Sequence, residues 1–151
     1  MSPLQKFFYL TVLEMGKKII KFKAKLNGDN QVDPGPILTQ ARGKASLKYN
    51  TRTGIISWDI SLKGLLSEID PNIGVHIHLG KSGTNGPVLV NITKLCGSGK
   101  FPKKNVKDLL KGNTYINVHT FNHPNGVVRG QIIKVGESYD CDCYQPCEKY
   151  H

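Results

Sequence analysis

Lys18-Ile19-Ile20-Lys21-Phe22-Lys23-Ala24-Lys25-Leu26 places Ile20, Phe22, Ala24 and Leu26 on one side of an extended chain and Lys21, Lys23 and Lys25 on the other. A period of two with a single apolar face is the signature of a half-buried strand. The pattern recurs downstream. Ala41, Gly43, Ala45, Leu47 and Tyr49 alternate with Arg42, Lys44, Ser46 and Lys48, and Ile56, Trp58, Ile60 and Leu62 alternate with Ser57, Asp59 and Ser61. Between these two runs, Asn50-Thr51-Arg52-Thr53-Gly54 carries hairpin chemistry, with Gly54 where φ must turn positive, so the flanking strands are expected to pair antiparallel. Gly28-Asp29-Asn30 and Asp33-Pro34-Gly35-Pro36 mark a turn-rich loop after the first strand.

Further strands are legible at 75–79, 88–95, 114–120 and 127–135, separated by Asp70-Pro71-Asn72, Gly83-Thr84-Asn85-Gly86-Pro87 and Pro124-Asn125-Gly126. Only Asn105 to Lys111 has helical character, with Asn105 as N-cap and Gly112 as the terminating glycine. Short strands at regular spacing with turns between them predict an all-β fold, an antiparallel Greek-key sandwich or barrel of seven or more strands. Phe22, Leu47, Ile56, Trp58, Ile60, Val75, Ile77 and Val118 are the expected core. The domain is expected over residues 18–136, with an N-terminal extension over 1–17 and a cysteine-rich tail over 137–151. Met15 is a second candidate start.

A chain of 151 residues with 38% hydrophobic content, 16 Gly and 8 Pro fits one folded, turn-rich domain. The longest apolar run, Phe7 to Leu13, falls well short of the ~20 residues that span a bilayer. It is followed by Glu14-Met15-Gly16-Lys17-Lys18 where a signal peptide would carry small residues, so no signal peptide is expected. The net charge is +10, and all but three of the 21 basic residues are lysines scattered along the chain. Lysines without an arginine cluster or interleaved aromatics argue for a solvated surface with weak polyanion attraction and no dedicated nucleic-acid site. No Ser/His/Asp arrangement, phosphate-binding glycine loop or carboxylate pair points to hydrolysis or nucleotide chemistry.

Four of the five histidines fall in two groups, Val75-His76-Ile77-His78-Leu79 and Asn117-Val118-His119-Thr120-Phe121-Asn122-His123. On a strand, His76 and His78 share one face about 7 Å apart while Val75, Ile77 and Leu79 enter the core. Such a pair can chelate copper or zinc, and His119 from a neighbouring strand is the natural third ligand, leaving one position open. The competing reading is a set of polar residues facing outward from a sandwich.

Several of these segments carry a family likeness. Lys23-Ala24-Lys25-Leu26-Asn27-Gly28, Gly43-Lys44-Ala45, Ser57-Trp58-Asp59-Ile60, Val75-His76-Ile77-His78-Leu79-Gly80, Asn85-Gly86-Pro87-Val88, residues 110–120 ending Tyr115-Ile116-Asn117-Val118-His119-Thr120, and Val128-Arg129-Gly130-Gln131-Ile132 together resemble the CHRD domain, over about residues 20 to 135. That family is named from chordin, a secreted antagonist that binds bone morphogenetic proteins, and it also occurs as single domains with no settled activity. A fainter likeness runs to Cu/Zn superoxide dismutase, a Greek-key sandwich with copper on a His-x-His strand plus a later histidine, and an arginine that guides anions. It implies copper at His76, His78 and His119, with His123 or water as a fourth ligand and Arg129 steering the anion. The alternative for Arg129 is a structural role. Leu79 to Val118 holds no histidine, so the bridging and zinc ligands of the binuclear enzymes have no counterpart.

Cys96, Cys141, Cys143 and Cys147 allow two disulfides, with Cys96 stapling the tail to the body; a soft-metal site of the three tail cysteines with His151 and reduced free cysteines are the alternatives. Disulfides and the family likeness favour an extracellular, exported or particle-packaged protein. Two functions follow as expectations: a copper (or zinc) protein with dismutase-like chemistry, or a non-catalytic module acting through a protein partner or as a homo-oligomer.

Overall fold

The computed structural model describes residues 1–8 and 18–139. Among them nine strands run antiparallel to their neighbours: β1 (Lys18–Asn27), β2 (Arg42–Asn50), β3 (Ile55–Lys63), β4 (Val75–Leu79), β5 (Val88–Ile92), β6 (Cys96–Lys100), β7 (Thr114–Thr120), β8 (His123–Gln131) and β9 (Ile133–Tyr139). Hydrogen bonding follows the order β5-β4-β7-β8-β1-β2-β3-β6, with β9 added along β1. The result is a nearly closed sandwich or barrel, all-β as the alternation predicts.

Strands β1, β2 and β3 obey the period-two reading over their whole length. Phe22 lies opposite Leu47, and Leu47 opposite Trp58, so the apolar faces of three consecutive strands meet in cross-strand register. The eight expected core residues are all buried, in one cluster to which Ile92, Phe101, Leu109, Ile116, Val128 and Ile132 also belong. Gly54 takes φ +71° in the β2–β3 turn, where the Asn50 side-chain oxygen accepts from the backbone N–H groups of Arg52 (2.9 Å) and Thr53 (3.2 Å).

Two of the expected strands differ from the sequence reading. The expected strand over 127–135 begins earlier, at His123, so that Pro124-Asn125-Gly126 lies inside β8 and not in a separating loop, and it is two strands, parted at Ile132: β8 pairs with β7 and shares one register pair with β1, Arg129 with Asn27, whereas β9 runs along β1 from Lys23 to Lys18 and extends to Tyr139. At this corner Gly130 packs so closely on the Lys25 carbonyl that a Cβ has no room. The strand expected over 88–95 ends at Ile92, and β6 follows as a separate strand paired with β3. In the helical segment, a 3-10 turn Lys103–Asn105 leads into the helix Val106–Leu110. Asn105 does not cap it as expected, because its side chain donates to the Asp108 carboxylate (3.2 Å) instead of accepting from the helix backbone. Gly112, at φ +77°, ends the segment.

Candidate metal centre

Strands β4 and β7 are adjacent and antiparallel, with His76 opposite Asn117 and His78 opposite Tyr115. Because Val75, Ile77, Ile116 and Val118 fill the core, their alternates His76, His78, Tyr115, Asn117 and His119 all stand on the outer face of this sheet. That face is covered, not bare. Gln31, in the loop after β1, donates from its Nε2 to Asn117 Oδ1 (2.8 Å), and residues 80–87 fold back over the other end. His119 is consequently 7% exposed and Tyr115 only 1%.

His76, His78 and His119 each offer one ring nitrogen to a common region, and the three atoms lie within 4.8 Å of one another. The other nitrogen of each ring is held by backbone. His78 Nδ1 is 2.9 Å from the Gly86 carbonyl, and His119 Nδ1 is 2.8 Å from the Pro124 carbonyl. His76 bonds to the backbone of Ile73. A carbonyl can only accept, so each of these nitrogens carries the hydrogen and the opposite nitrogen keeps its lone pair. Those opposite atoms, His76 Nδ1, His78 Nε2 and His119 Nε2, are buried and have no hydrogen-bond partner. An orphaned buried acceptor costs about 1–3 kcal/mol, and three aimed at one point fit a cation.

The electrostatics agree. His76 is pushed down to about 4, first by burial and then by the neighbouring His119 and His78, against the opposing effect of the Ile73 bond. Burial likewise lowers His78 and His119. All three rings are neutral at pH 7, the state in which imidazole ligates a metal. A groove of about 520 Å³, lined by residues 69–76 and 91–95, reaches His76.

Around these rings sits a stack that the spacing argument did not assign. The His78 ring lies parallel on Tyr115, 4.9 Å between centroids, and the Arg129 guanidinium carbon sits 3.5 Å from the Tyr115 ring centre. Tyr115 Oη accepts from the Gly86 N–H (3.2 Å), so one residue ties His78 at both its face and its hydrogen-bonded edge. Gly86 is itself pressed against the Leu79 carbonyl with no space for a side chain. The alternation Tyr115-x-Asn117-x-His119 was the available signal, since it puts both residues on the ligand's face.

The family's sequence model for the CHRD domain matches residues 22–132, a span containing every residue of this site. The chain belongs to the CHRD domain family. Comparison with curated proteins and with solved structures gave no match. Within this CHRD domain, the remaining candidates from the sequence stand apart from the three-histidine group. His123 opens β8 opposite Thr120 and is not a member of that group. Arg129 is 1% exposed, and its guanidinium donates to Asn85 Oδ1 (2.9 Å), the carbonyls of Lys81 (3.1 Å) and Thr84 (2.6 Å), and Gln131 Oε1 (3.3 Å). Cys96 opens β6, a terminal strand of the sheet, opposite Asp59. Cys141, Cys143, Cys147 and His151 lie outside the described residues.

Proposed function

We propose that this CHRD domain is a copper-binding protein, with zinc accepted where copper is scarce, and that His76 Nδ1, His78 Nε2 and His119 Nε2 are the ligands. The reading is carried by the convergence of three buried, unpartnered imidazole lone pairs whose tautomers are set by backbone carbonyls. Imidazole nitrogens favour Cu(II) over Zn in the usual affinity order, and three protein ligands leave one position for a small molecule. One-electron exchange with a small oxidant or reductant such as superoxide is the chemistry copper would supply there. His123 is not needed for the ligand set.

In this reading Arg129 is a positioning residue. Its donors are spent on the loop that covers the site, and its stacking on Tyr115 fixes the ring against which His78 rests. Anion guidance would then fall to other charges of a chain with net charge +10.

Metal analysis of untagged protein, followed by Cu(II) titration of the metal-free form, tests the ligand assignment. Wild type should take up one equivalent, and His78→Ala should lose tight uptake while keeping its β-sheet circular dichroism. Stoichiometric tight copper in the folded variant would defeat the assignment. Superoxide disproportionation by the copper-loaded wild type, absent from His78→Ala, would add the redox activity.

A further inference from the structure

The lysines scattered through the sequence are gathered by the fold. On the outer faces of β1 and β2, Lys21, Lys23, Lys25, Arg42, Lys44 and Lys48 are all exposed, while the alternate residues of both strands enter the core. Lys21 lies directly opposite Lys48, and Lys25 directly opposite Lys44. Like charges in register across an antiparallel pair are destabilising, yet the pairing repeats along the strand. Edge protection does not account for it, because β1 and β2 are interior strands, flanked by β9, β8 and β3. Among the described residues the ion pairs join Glu137 to Lys18 and Lys134, and none involves these six cations. On the adjoining strand β3 the exposed face carries one acid, Asp59.

We propose that this face docks on an anionic lipid surface. Its cations form a grid with spacings of roughly 5 by 7 Å on one face, a geometry suited to meeting several headgroups at once. The face carries no aromatic side chain for stacking bases. Its one arginine, Arg42, has its Nη1 held by the Thr39 (2.8 Å) and Ala41 (2.7 Å) carbonyls, which occupies half of the fork that would read a base edge. Continuous with the lysines, Ile133 lies opposite Lys23 and is 50% exposed, and Val135 is 54% exposed. Ile133, Val135, Lys23 and Lys25 line one shallow groove. A phosphate rod would leave those apolar groups in water, whereas a bilayer takes them into the headgroup boundary beside the lysine stems. None of these residues is a proposed metal ligand, and the proposal is independent of the metal assignment.

Co-sedimentation of the full chain with phosphatidylcholine vesicles, with and without 30% phosphatidylserine (about one lipid in three, the regime where surface lysines count), reads the interaction. Binding should require phosphatidylserine and weaken steeply with added salt. The triple change Lys23→Glu, Lys44→Glu and Lys48→Glu should weaken binding by roughly a hundredfold or more. A control variant, Lys103→Glu, Lys104→Glu and Lys107→Glu, changes net charge equally and should bind within a few-fold of wild type. Both variants alter exposed side chains, and circular dichroism checks their fold. Absence of phosphatidylserine binding in wild type, equal loss in the two variants, or tighter binding to a short DNA duplex than to the vesicles would each overturn the proposal.

Discussion

Arg129 illustrates how a charged residue becomes part of a protein's interior. A buried guanidinium is expensive to desolvate, and here the cost is offset by four hydrogen-bond acceptors and the face of Tyr115. Arg129→Ala would leave the Lys81 and Thr84 carbonyls without these donors and open a cavity beneath Tyr115. It should cost about 3 kcal/mol or more in urea unfolding, and an unchanged midpoint would contradict the structural role. The histidines give the complementary case. Because His76 is lowered in the folded protein to about 4 from its usual 6.5, and His78 and His119 move the same way, the unfolded chain binds protons that the folded one refuses. Stability contributed by these groups is therefore complete above about pH 6.5 and is lost as pH falls toward 4. Metal-free protein should melt at a distinctly lower temperature at pH 4.5 than at pH 7.5. The ring nitrogens that take up these protons are the proposed ligands, since the others already carry hydrogen, so acid should release the metal over the same range.

At the scale of elements, β6 shows why one strand escaped the sequence reading. Cys96-Gly97-Ser98-Gly99-Lys100 has no apolar alternation, because its inward positions are glycines facing the Trp58 ring, which stands 3.5 Å from where a Cβ on either would lie. Trp58 supplies the side-chain volume for two strands and anchors itself through Nε1–H to the Lys94 carbonyl (2.8 Å). Trp58→Ala should therefore cost roughly 3–5 kcal/mol, at the upper end because the facing glycines cannot fill the hole. Chemical denaturation of the variant measures this, and wild-type stability would show that β6 packs without the indole. The break between β8 and β9 was equally hidden. Val127 to Val135 reads as one apolar-rich run, and only the packing of Gly130 on Lys25 shows where the chain must change partner. By contrast, β1 to β3 were legible because one face is turned to the core and the other to solvent, which is the condition under which period two appears in a sequence.

For the whole molecule, the open side of the sandwich lies between the terminal strands β5 and β6, and Cys96 stands at the β6 edge. We expect Cys96 to be recovered in a disulfide with one tail cysteine, closing a loop whose entropy is worth roughly 4 kcal/mol, so that reduction should lower the melting temperature. Four free thiols in freshly purified protein would refute it. The sequence alone determined the fold class, the core of β1 to β3 and the placing of His76 and His78 on one face, because these depend only on alternation along a single strand. The tertiary structure decided three things that depend on distance between chain-remote groups. It brought His119 to the pair through the β4–β7 register, and it gave each ring a backbone carbonyl from Ile73, Gly86 or Pro124 that orients its lone pair. It turned Arg129 into the interior and drew lysines from separate strands onto one face, because cross-strand neighbours are set by pairing, which no local pattern encodes.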